Sequence, residues 1–224
     1  MKRHCLIVFV KSPEAEGVKS RLAAAVGEKK TRRLYRHFVE DLLDSLDKGS
    51  YCLKLFFYPP DQQQVLSRWL GYDRSYEPQT GDDLGQRMKN AFEKCFAEGF
   101  DKAILIGSDS PDLPREIIDE GFVALTSCDA VIGPSCDGGY YLIGFHAATF
   151  LPDPFSGIPW STDGVLKSTR AILDKKGLKV SVLPPWRDID TYEDLKALVK
   201  RHRNTPFAKS RTVLHAFSRN GSEQ

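Results

Sequence analysis

The chain has 224 residues, of which 41% are hydrophobic and 28% charged, and its formal net charge is +2. This balance is typical of one soluble globular domain that buries a substantial core. A net charge so close to zero gives no general reason to expect nucleic acid as a partner. Any anionic ligand would therefore have to be held by local chemistry.

The cysteines are odd in number and contain no CxxC pair, which argues against a disulfide framework and against a structural zinc site. They are Cys5, Cys52, Cys95, Cys128 and Cys136. The apolar run at residues 5–10 is too short for a signal peptide, and no stretch approaches the length of a membrane span. These features predict a cytoplasmic protein without a membrane span.

Short apolar runs with the length and composition of β-strands recur along the chain. They cover residues 5–10, 51–58, 103–107, 130–133, 140–145 and 179–183. The first, third and fourth runs are almost wholly apolar, as is typical of strands that are covered on both faces.

Segments with a helical period lie between these runs. Apolar residues recur every four positions over 34–46 and over 84–96, and more loosely over 118–125. Residues 161–177 and 191–201 continue the pattern, with Gly177 at a helix end and Thr191 as an N-cap. The alternation predicts a mostly parallel sheet with helices on both faces.

The predicted domain spans residues 1–200. From residue 201 onward the chain loses its periodicity and becomes basic. We expect residues 201–224 to form a solvated or partly ordered C-terminal tail.

Ligands of such a sheet bind outside the carboxyl ends of its strands, and the first polar cluster, at residues 11–22, follows the first strand. Lys11, Lys19 and Arg21 surround Gly17 there. Basic side chains beside a helix start can hold phosphate through charge-assisted hydrogen bonds. The loop matches neither GxGxxG nor a P-loop, and an ordinary surface loop is an equally good interpretation.

The second cluster is the sequence GSDSPDLP at residues 107–114. Asp109 lies just beyond the strand, where a carboxylate suits a magnesium ion that also binds substrate phosphates. Asp112 precedes the next helix, and we expect it to be the N-cap.

The third cluster contains Asp137, Gly138, Gly139 and Tyr140. The glycine pair would let a ligand approach the backbone, but Asp-Gly before an aromatic strand also predicts a hairpin turn. Both interpretations stand at this point.

The fourth cluster, at residues 186–195, contains Asp188 and Asp190. On an extended segment these side chains face the same way, so one or both could meet Asp109 and complete a metal site. Alternatively, Asp190 supplies a charge at the helix start beside Thr191.

Together these motifs resemble a bacterial family of GT-A-fold transferases, glycosyltransferase-like proteins associated with radical-SAM or selenium-domain proteins. The resemblance covers residues 5–200 and rests on FVKSPEAEGVKSRL, GDDLGQRM, LIGSDSPDLP, GPSCDGGYYLIG, IPWST and DIDTYEDL, in that order. More distantly the chain is similar to molybdenum-cofactor and phospholactate guanylyltransferases.

The resemblance implies a three-layer α/β sandwich with a mixed, mostly parallel sheet, of the nucleotide-diphospho-sugar transferase type. It also implies a role for each motif. The nucleotide would contact Lys11, Lys19, Arg21 and Arg87. The metal ion, Mg²⁺ or Mn²⁺, would be bound by Asp109 and Asp190. The acceptor would face Gly138, Gly139, Tyr140, Trp160, Ser161 and Thr162.

The expected function is glycosyl transfer from a nucleoside-diphosphate sugar to a small-molecule acceptor. One alternative is a nucleotidyltransferase that joins a nucleoside triphosphate to a small phosphorylated acceptor and releases pyrophosphate. The other is a non-catalytic nucleotide-binding accessory protein. No histidine lies in a nucleophile–base motif, which gives no support to a covalent mechanism. Asp137 is the candidate general base.

Overall fold

The structure is a computed structural model that describes residues 3–160 and 162–217. Its strands are β1 (His4–Lys11), β2 (Cys52–Tyr58), β3 (Ser75–Pro78), β4 (Lys102–Ile106), β5 (Ala130–Pro134), β6 (Tyr140–His146) and β7 (Val180–Val182). Its α-helices are α1 (Ser20–Val26), α2 (Glu28–Leu46), α3 (Gln63–Leu70), α4 (Leu84–Ala97), α5 (Arg115–Ala124), α6 (Val165–Lys175), α7 (Tyr192–His202) and α8 (Arg211–Ala216).

The strands form one seven-stranded sheet in the order β3-β2-β1-β4-β6-β5-β7. Strand β6 pairs antiparallel with β4 and β5, whereas the other pairings are parallel. The carboxyl ends of β1, β2 and β4 therefore meet at the same edge of the sheet. The predicted mixed, mostly parallel sheet is confirmed.

The alternation of side chains between the two faces of β1 explains why the sheet lies between two layers of helices. Leu6, Val8 and Val10 face a core that contains residues of α1, α2, α3, α5, α7 and α8. Cys5 and Ile7 face the opposite core, which contains residues of α4 and α6. Because every second side chain of a strand points to the same face, one apolar run supplies both cores.

The segment between β2 and α4 departs from the sequence prediction. Helix α3 and strand β3 were not predicted, and neither was the short helix α1. Strand β3 reads SYEP and all four of its residues are only partly buried, so it lacks the apolar signal of the other strands. Helix α6 begins at Val165, four residues later than the predicted start at 161.

The C-terminal segment is folded as far as the structure describes it. Helix α7 extends to His202, and α8 packs against α2 with Thr212 and Ala216 buried. Asp41 of α2 accepts hydrogen bonds from the backbone N–H groups of Arg211 and Thr212 at 3.1 and 2.7 Å. The segment that was expected to be a solvated or partly ordered tail thus contains ordered helix that packs on the domain, and its residues 218–224 lie outside the described residues.

The expected capping role of Asp112 is wrong. The N-cap of α5 is Pro114, and the Asp112 side chain is only 1% exposed. Its carboxylate accepts hydrogen bonds from Trp186 Nε1 at 3.2 Å and from Arg201 at 2.5 Å, and it contacts His202 Nε2 at 2.7 Å. Asp112 thus anchors the end of α7 to the loop after β4.

Within the described ranges, no helix combines the length and the apolar character that a membrane crossing requires.

Candidate active site

A cavity of about 780 Å³ lies at the carboxyl ends of β1, β2 and β4. Its wall includes Lys11 and Tyr58 at the ends of β1 and β2, and residues 107–110 after β4. This is the edge of a parallel sheet where ligands are expected to bind. All four polar clusters of the sequence contribute to the wall, although they are far apart along the chain.

Tyr35 of α2 joins the first loop to the loop after β4. Its hydroxyl accepts a hydrogen bond from the backbone N–H of Lys11 at 2.9 Å and lies 3.0 Å from Ser108 Oγ. Burial raises the pKa of Tyr35 well above its usual range, so the hydroxyl keeps its proton. The ammonium of Lys11 donates to the carbonyl of Glu16 at 2.6 Å and thereby closes the first loop.

Lys19 lies between the two predicted metal ligands. Its Nζ is 2.9 Å from Asp109 Oδ1 and 2.6 Å from Asp190 Oδ1, and its side chain is only 6% exposed. Burial opposes the charge of Lys19, but Asp109 and Asp190 outweigh it and raise the pKa of the ammonium. Arg21 donates to the second oxygen of Asp190 at 2.7 Å. The structure thus brings Asp109 and Asp190 to the same ammonium group, one of the meetings with Asp109 that the sequence left open.

Asp188 lies deeper in the same wall. It accepts hydrogen bonds from Ser110 Oγ at 2.7 Å and from Ser135 Oγ at 3.2 Å. Burial raises the pKa of Asp188 to about 6, against the opposing effect of the Ser110 hydrogen bond. Asp188 therefore connects the loop after β4 to the loop after β5.

Asp137 lies in the turn between β5 and β6. This turn is closed by the hydrogen bond from Ser135 N to the carbonyl of Gly139, at 3.0 Å. Asp137 Oδ1 accepts hydrogen bonds from Ser135 Oγ at 2.6 Å and from Gly139 N at 3.0 Å. Although burial opposes the shift, these bonds hold the pKa of Asp137 below its usual range. The hairpin prediction is confirmed, and Asp137, Gly139 and Tyr140 line the cavity as well.

Gly138 is required by the turn itself and not by the approach of a ligand. Its φ is +90°, and a Cβ atom there would lie 2.2 Å from the carbonyl oxygen of Asp163. The turn thus needs glycine for its backbone and for close packing, and Gly138 is not among the residues that line the cavity. The structure gives no contact of Gly138 with the predicted acceptor space.

The remaining predicted residues lie on the wall formed by α4 and the segment before α6. The Arg87 guanidinium stacks 4.0 Å from the Tyr58 ring and donates to the carbonyl of Gly81 at 3.0 Å. Trp160 and Thr162 also line the cavity. The predicted contact of Ser161 lies outside the described residues.

Several cavity-lining residues were not assigned to the site from the sequence. They are Tyr35, Tyr58, Ser108, Ser110 and Asp163. Tyr35 lies on a helix with an ordinary apolar period, and no local signal distinguishes it from a core residue. Asp163 directly follows the WST motif, and only this neighbourhood could have indicated that Asp163 lines the cavity.

The donor set of the predicted metal site fits Mg²⁺ or Mn²⁺ in part. Carboxylate oxygens from Asp109 and Asp190 converge on one point, since a single ammonium nitrogen contacts both. Magnesium is commonly bound by one or two carboxylates, with water and phosphate oxygens as further ligands. In the part of the chain that the structure describes, no group of three or more His, Cys, Asp or Glu residues could hold a metal ion. The protein would thus supply two ligands, and a bound phosphate would have to supply others.

Comparison with solved structures defines the class of fold. The chain superimposes with a TM-score of 0.93 on a protein of Desulfovibrio desulfuricans G20 that is provisionally named a nucleotide-diphospho-sugar transferase. The two are 41% identical, over 96% of this chain and 94% of the other. The α/β fold is therefore of the nucleotide-diphospho-sugar transferase type.

More distant structures share the fold alone. One is the 4-diphosphocytidyl-2C-methyl-D-erythritol synthase of Anaerococcus prevotii, with 12% identity, a TM-score of 0.60 and coverage of 91% of this chain and 97% of the other. Another is a CMP:2-keto-3-deoxy-manno-octonic acid synthetase complexed with CTP, with 12% identity, a TM-score of 0.55 and coverage of 90% and 100%.

Residues 42–162 match the family model described as uncharacterized proteins conserved in bacteria, DUF2064. The chain belongs to this family. A comparison with curated proteins finds no match.

Proposed function

We propose that the protein is a metal-dependent transferase that uses a nucleotide-activated donor. The reaction is glycosyl transfer from a nucleoside-diphosphate sugar to a hydroxyl group of a small acceptor. Three facts support this proposal: the fold, the 41% identical relative, and a cavity at the carboxyl ends of the parallel strands where basic loops and carboxylates meet.

The nucleotide would bind beside the first loop. The cavity-lining residues with basic side chains are Lys11, Lys19, Arg21 and Arg87. Those with acidic side chains are Asp109, Asp137, Asp163, Asp188 and Asp190. Because the carboxylates outnumber the basic groups, a diphosphate would meet unfavourable charge unless a cation entered with it.

Asp109 and Asp190 would hold that cation. A divalent ion at this position would neutralise the charge that develops on the departing diphosphate. Lys11 and Arg21 would orient the phosphate oxygens, and Lys19 would contact them once it leaves its two carboxylates. Arg87, stacked on Tyr58, would hold the nucleotide from the α4 side.

The choice of glycosyl transfer rests on one observation about the acceptor side. The described cavity residues from 137–141 and 160–165 include Asp137 and Asp163 but no Lys, Arg or His. A phosphorylated acceptor, as in the nucleotidyl-transfer alternative, would meet negative charge there. A hydroxyl acceptor would instead find hydrogen-bond acceptors and the rings of Tyr140 and Trp160.

Asp137 is ionised at neutral pH, since its pKa lies below the usual range. It would accept a hydrogen bond from the acceptor hydroxyl and take its proton as the oxygen bonds to the sugar carbon. The bond between that carbon and the diphosphate oxygen breaks in the same reaction. The nucleoside diphosphate leaves with the electron pair.

Nucleotidyl transfer is the second candidate, because the more distant structures of this fold include a CMP:2-keto-3-deoxy-manno-octonic acid synthetase complexed with CTP. One experiment separates the candidates. Thermal-shift screening of nucleoside diphosphates and triphosphates, with and without Mg²⁺ or Mn²⁺, identifies the preferred ligand. Product analysis with the matching donor then detects a nucleoside diphosphate in the first case and pyrophosphate in the second. Stabilisation without turnover by any donor would favour a non-catalytic nucleotide-binding protein.

A further inference from the structure

The backbone of Lys19 adopts an unusual conformation. Its φ and ψ are 50° and 52°, and in the described ranges it is the only non-glycine residue with a positive φ. A side chain in this left-handed region costs free energy, and such residues persist where surrounding contacts hold them in place. The contacts that hold Lys19 include two ion pairs of its side chain and a hydrogen bond from Ala23 N to its carbonyl at 2.8 Å.

The ammonium of Lys19 lies where two distant segments meet. Asp109 follows β4 and Asp190 precedes α7, and one oxygen of each lies within 2.9 Å of Nζ. A lysine ammonium is a compact charge with three donors, so it can satisfy two carboxylates at once. It therefore occupies the point that the proposed divalent cation would need.

We propose that Lys19 is a built-in counter-ion, which fills the metal position in the ligand-free protein and leaves it when a diphosphate binds. This inference rests on the proposed metal-dependent function. Lys19 and a divalent ion cannot both contact these oxygens at such distances without strong repulsion. The metal alone therefore binds weakly, and metal and diphosphate bind with positive coupling.

The ion pairs of Lys19 stabilise the two carboxylates when no ligand is bound. Without Lys19, Asp109 would lose this ion pair and Asp190 would keep only its pair with Arg21, so that two like charges would lie close together in a partly buried wall. With Lys19 and Arg21 in place, two basic groups balance the two carboxylates. A diphosphate offers the ammonium new oxygen partners, so that the two carboxylates become available together.

The test is Mn²⁺ binding to the full-length protein without nucleotide, measured by electron paramagnetic resonance. Lys19→Gly removes the ammonium and suits the left-handed backbone, whereas Lys19→Met removes only the charge. Both variants should bind Mn²⁺ about tenfold or more tightly than the wild type, because a unit charge close to both carboxylates has been removed. Lys200→Met is the matched control: it removes the charge of an exposed lysine of α7 that does not line the cavity, and it should leave the affinity unchanged.

A double variant shows where the ion binds. Adding Asp109→Asn to Lys19→Gly should abolish the gain in Mn²⁺ affinity. Equal Mn²⁺ affinity of the wild type and both Lys19 variants would overturn the counter-ion proposal and leave the metal-dependent function standing. If neither the wild type nor any variant binds Mn²⁺, with or without added nucleoside diphosphates, the metal-dependent function fails as well.

Discussion

The hydroxyl of Ser110 donates a 2.7 Å hydrogen bond to Asp188, a residue 78 positions further along the chain. This bond ties the loop that carries Asp109 to the segment that carries Asp190. A hydrogen bond to a charged acceptor stabilises a protein more than a neutral one does.

Ser110→Ala should therefore lower the free energy of unfolding by about 1.5–3 kcal/mol, as measured by urea denaturation. The control is a double-mutant cycle with Asp188→Asn, in which the cost of Ser110→Ala should shrink because the acceptor is neutral. An equal cost in both backgrounds would mean that Ser110 acts through packing and not through this bond.

The second prediction concerns Asp109. Asp109→Asn should weaken the binding of a nucleoside diphosphate with Mg²⁺ by at least about tenfold, or about 1.4 kcal/mol, because one anionic ligand of the ion is lost. Titration calorimetry with and without Mg²⁺ measures the effect. Asp82→Asn, an exposed change outside the cavity, is the control. An unchanged affinity in a folded Asp109→Asn protein would refute the metal assignment.

The third prediction concerns phosphate recognition by the first loop. Lys11→Ala and Arg21→Ala should each weaken binding of a nucleoside diphosphate by about 1.5–3 kcal/mol and leave binding of the bare nucleoside almost unchanged. Competition binding compares the two ligands, and Lys200→Ala on the exposed face of α7 provides the control. Equal losses for both ligands would indicate that the loop supports the fold and does not contact phosphate.

The fourth prediction compares a buried and an exposed carboxylate of α2 that both pair with Arg211 of the C-terminal segment. Arg211 pairs with Asp41, whose side chain is 5% exposed, and with Asp44, which is 62% exposed. Asp41→Ala should lower the free energy of unfolding by about 2–3 kcal/mol, because it also leaves the N–H groups at the start of α8 unpaired. Asp44→Ala should cost less than about 1 kcal/mol, since exposed ion pairs contribute little. Similar costs in urea denaturation would contradict the idea that Asp41 anchors α8.

The same C-terminal segment illustrates how far the sequence predicts this fold. Six strands and the helices α2, α4, α5, α6 and α7 were found because apolar periodicity is a local signal. The docking of α8 was missed because Arg211 and its partners Asp41 and Asp44 are about 170 positions apart. Strand β3 was missed because its SYEP sequence, at the edge of the sheet, carries no apolar run.

The meeting of the four loops at one cavity could be predicted better than the pairing of their side chains. Parallel strands present their carboxyl ends together, so loops that follow such strands could be expected to meet, and Asp109 and Asp190 do. The sequence could not show that Lys19 would lie between them, because its left-handed backbone carries no local signal such as glycine. Gly138, in contrast, carries the signal but serves the backbone of its own turn.

The last prediction concerns Asp137, whose Oδ1 accepts hydrogen bonds from Ser135 and Gly139. Asp137→Asn keeps an oxygen for these bonds, so the turn should keep its conformation. The nucleotide affinity should therefore stay within about twofold of the wild type. Turnover should fall by about a hundredfold or more, because an amide cannot take the proton of the acceptor hydroxyl. Affinity and turnover are measured on one preparation with the donor found by the screen, and Cys136→Ser, in the same turn, is the control. Normal turnover in Asp137→Asn would show that this carboxylate only stabilises the turn. A loss of nucleotide affinity would instead assign the turn to the donor side of the cavity.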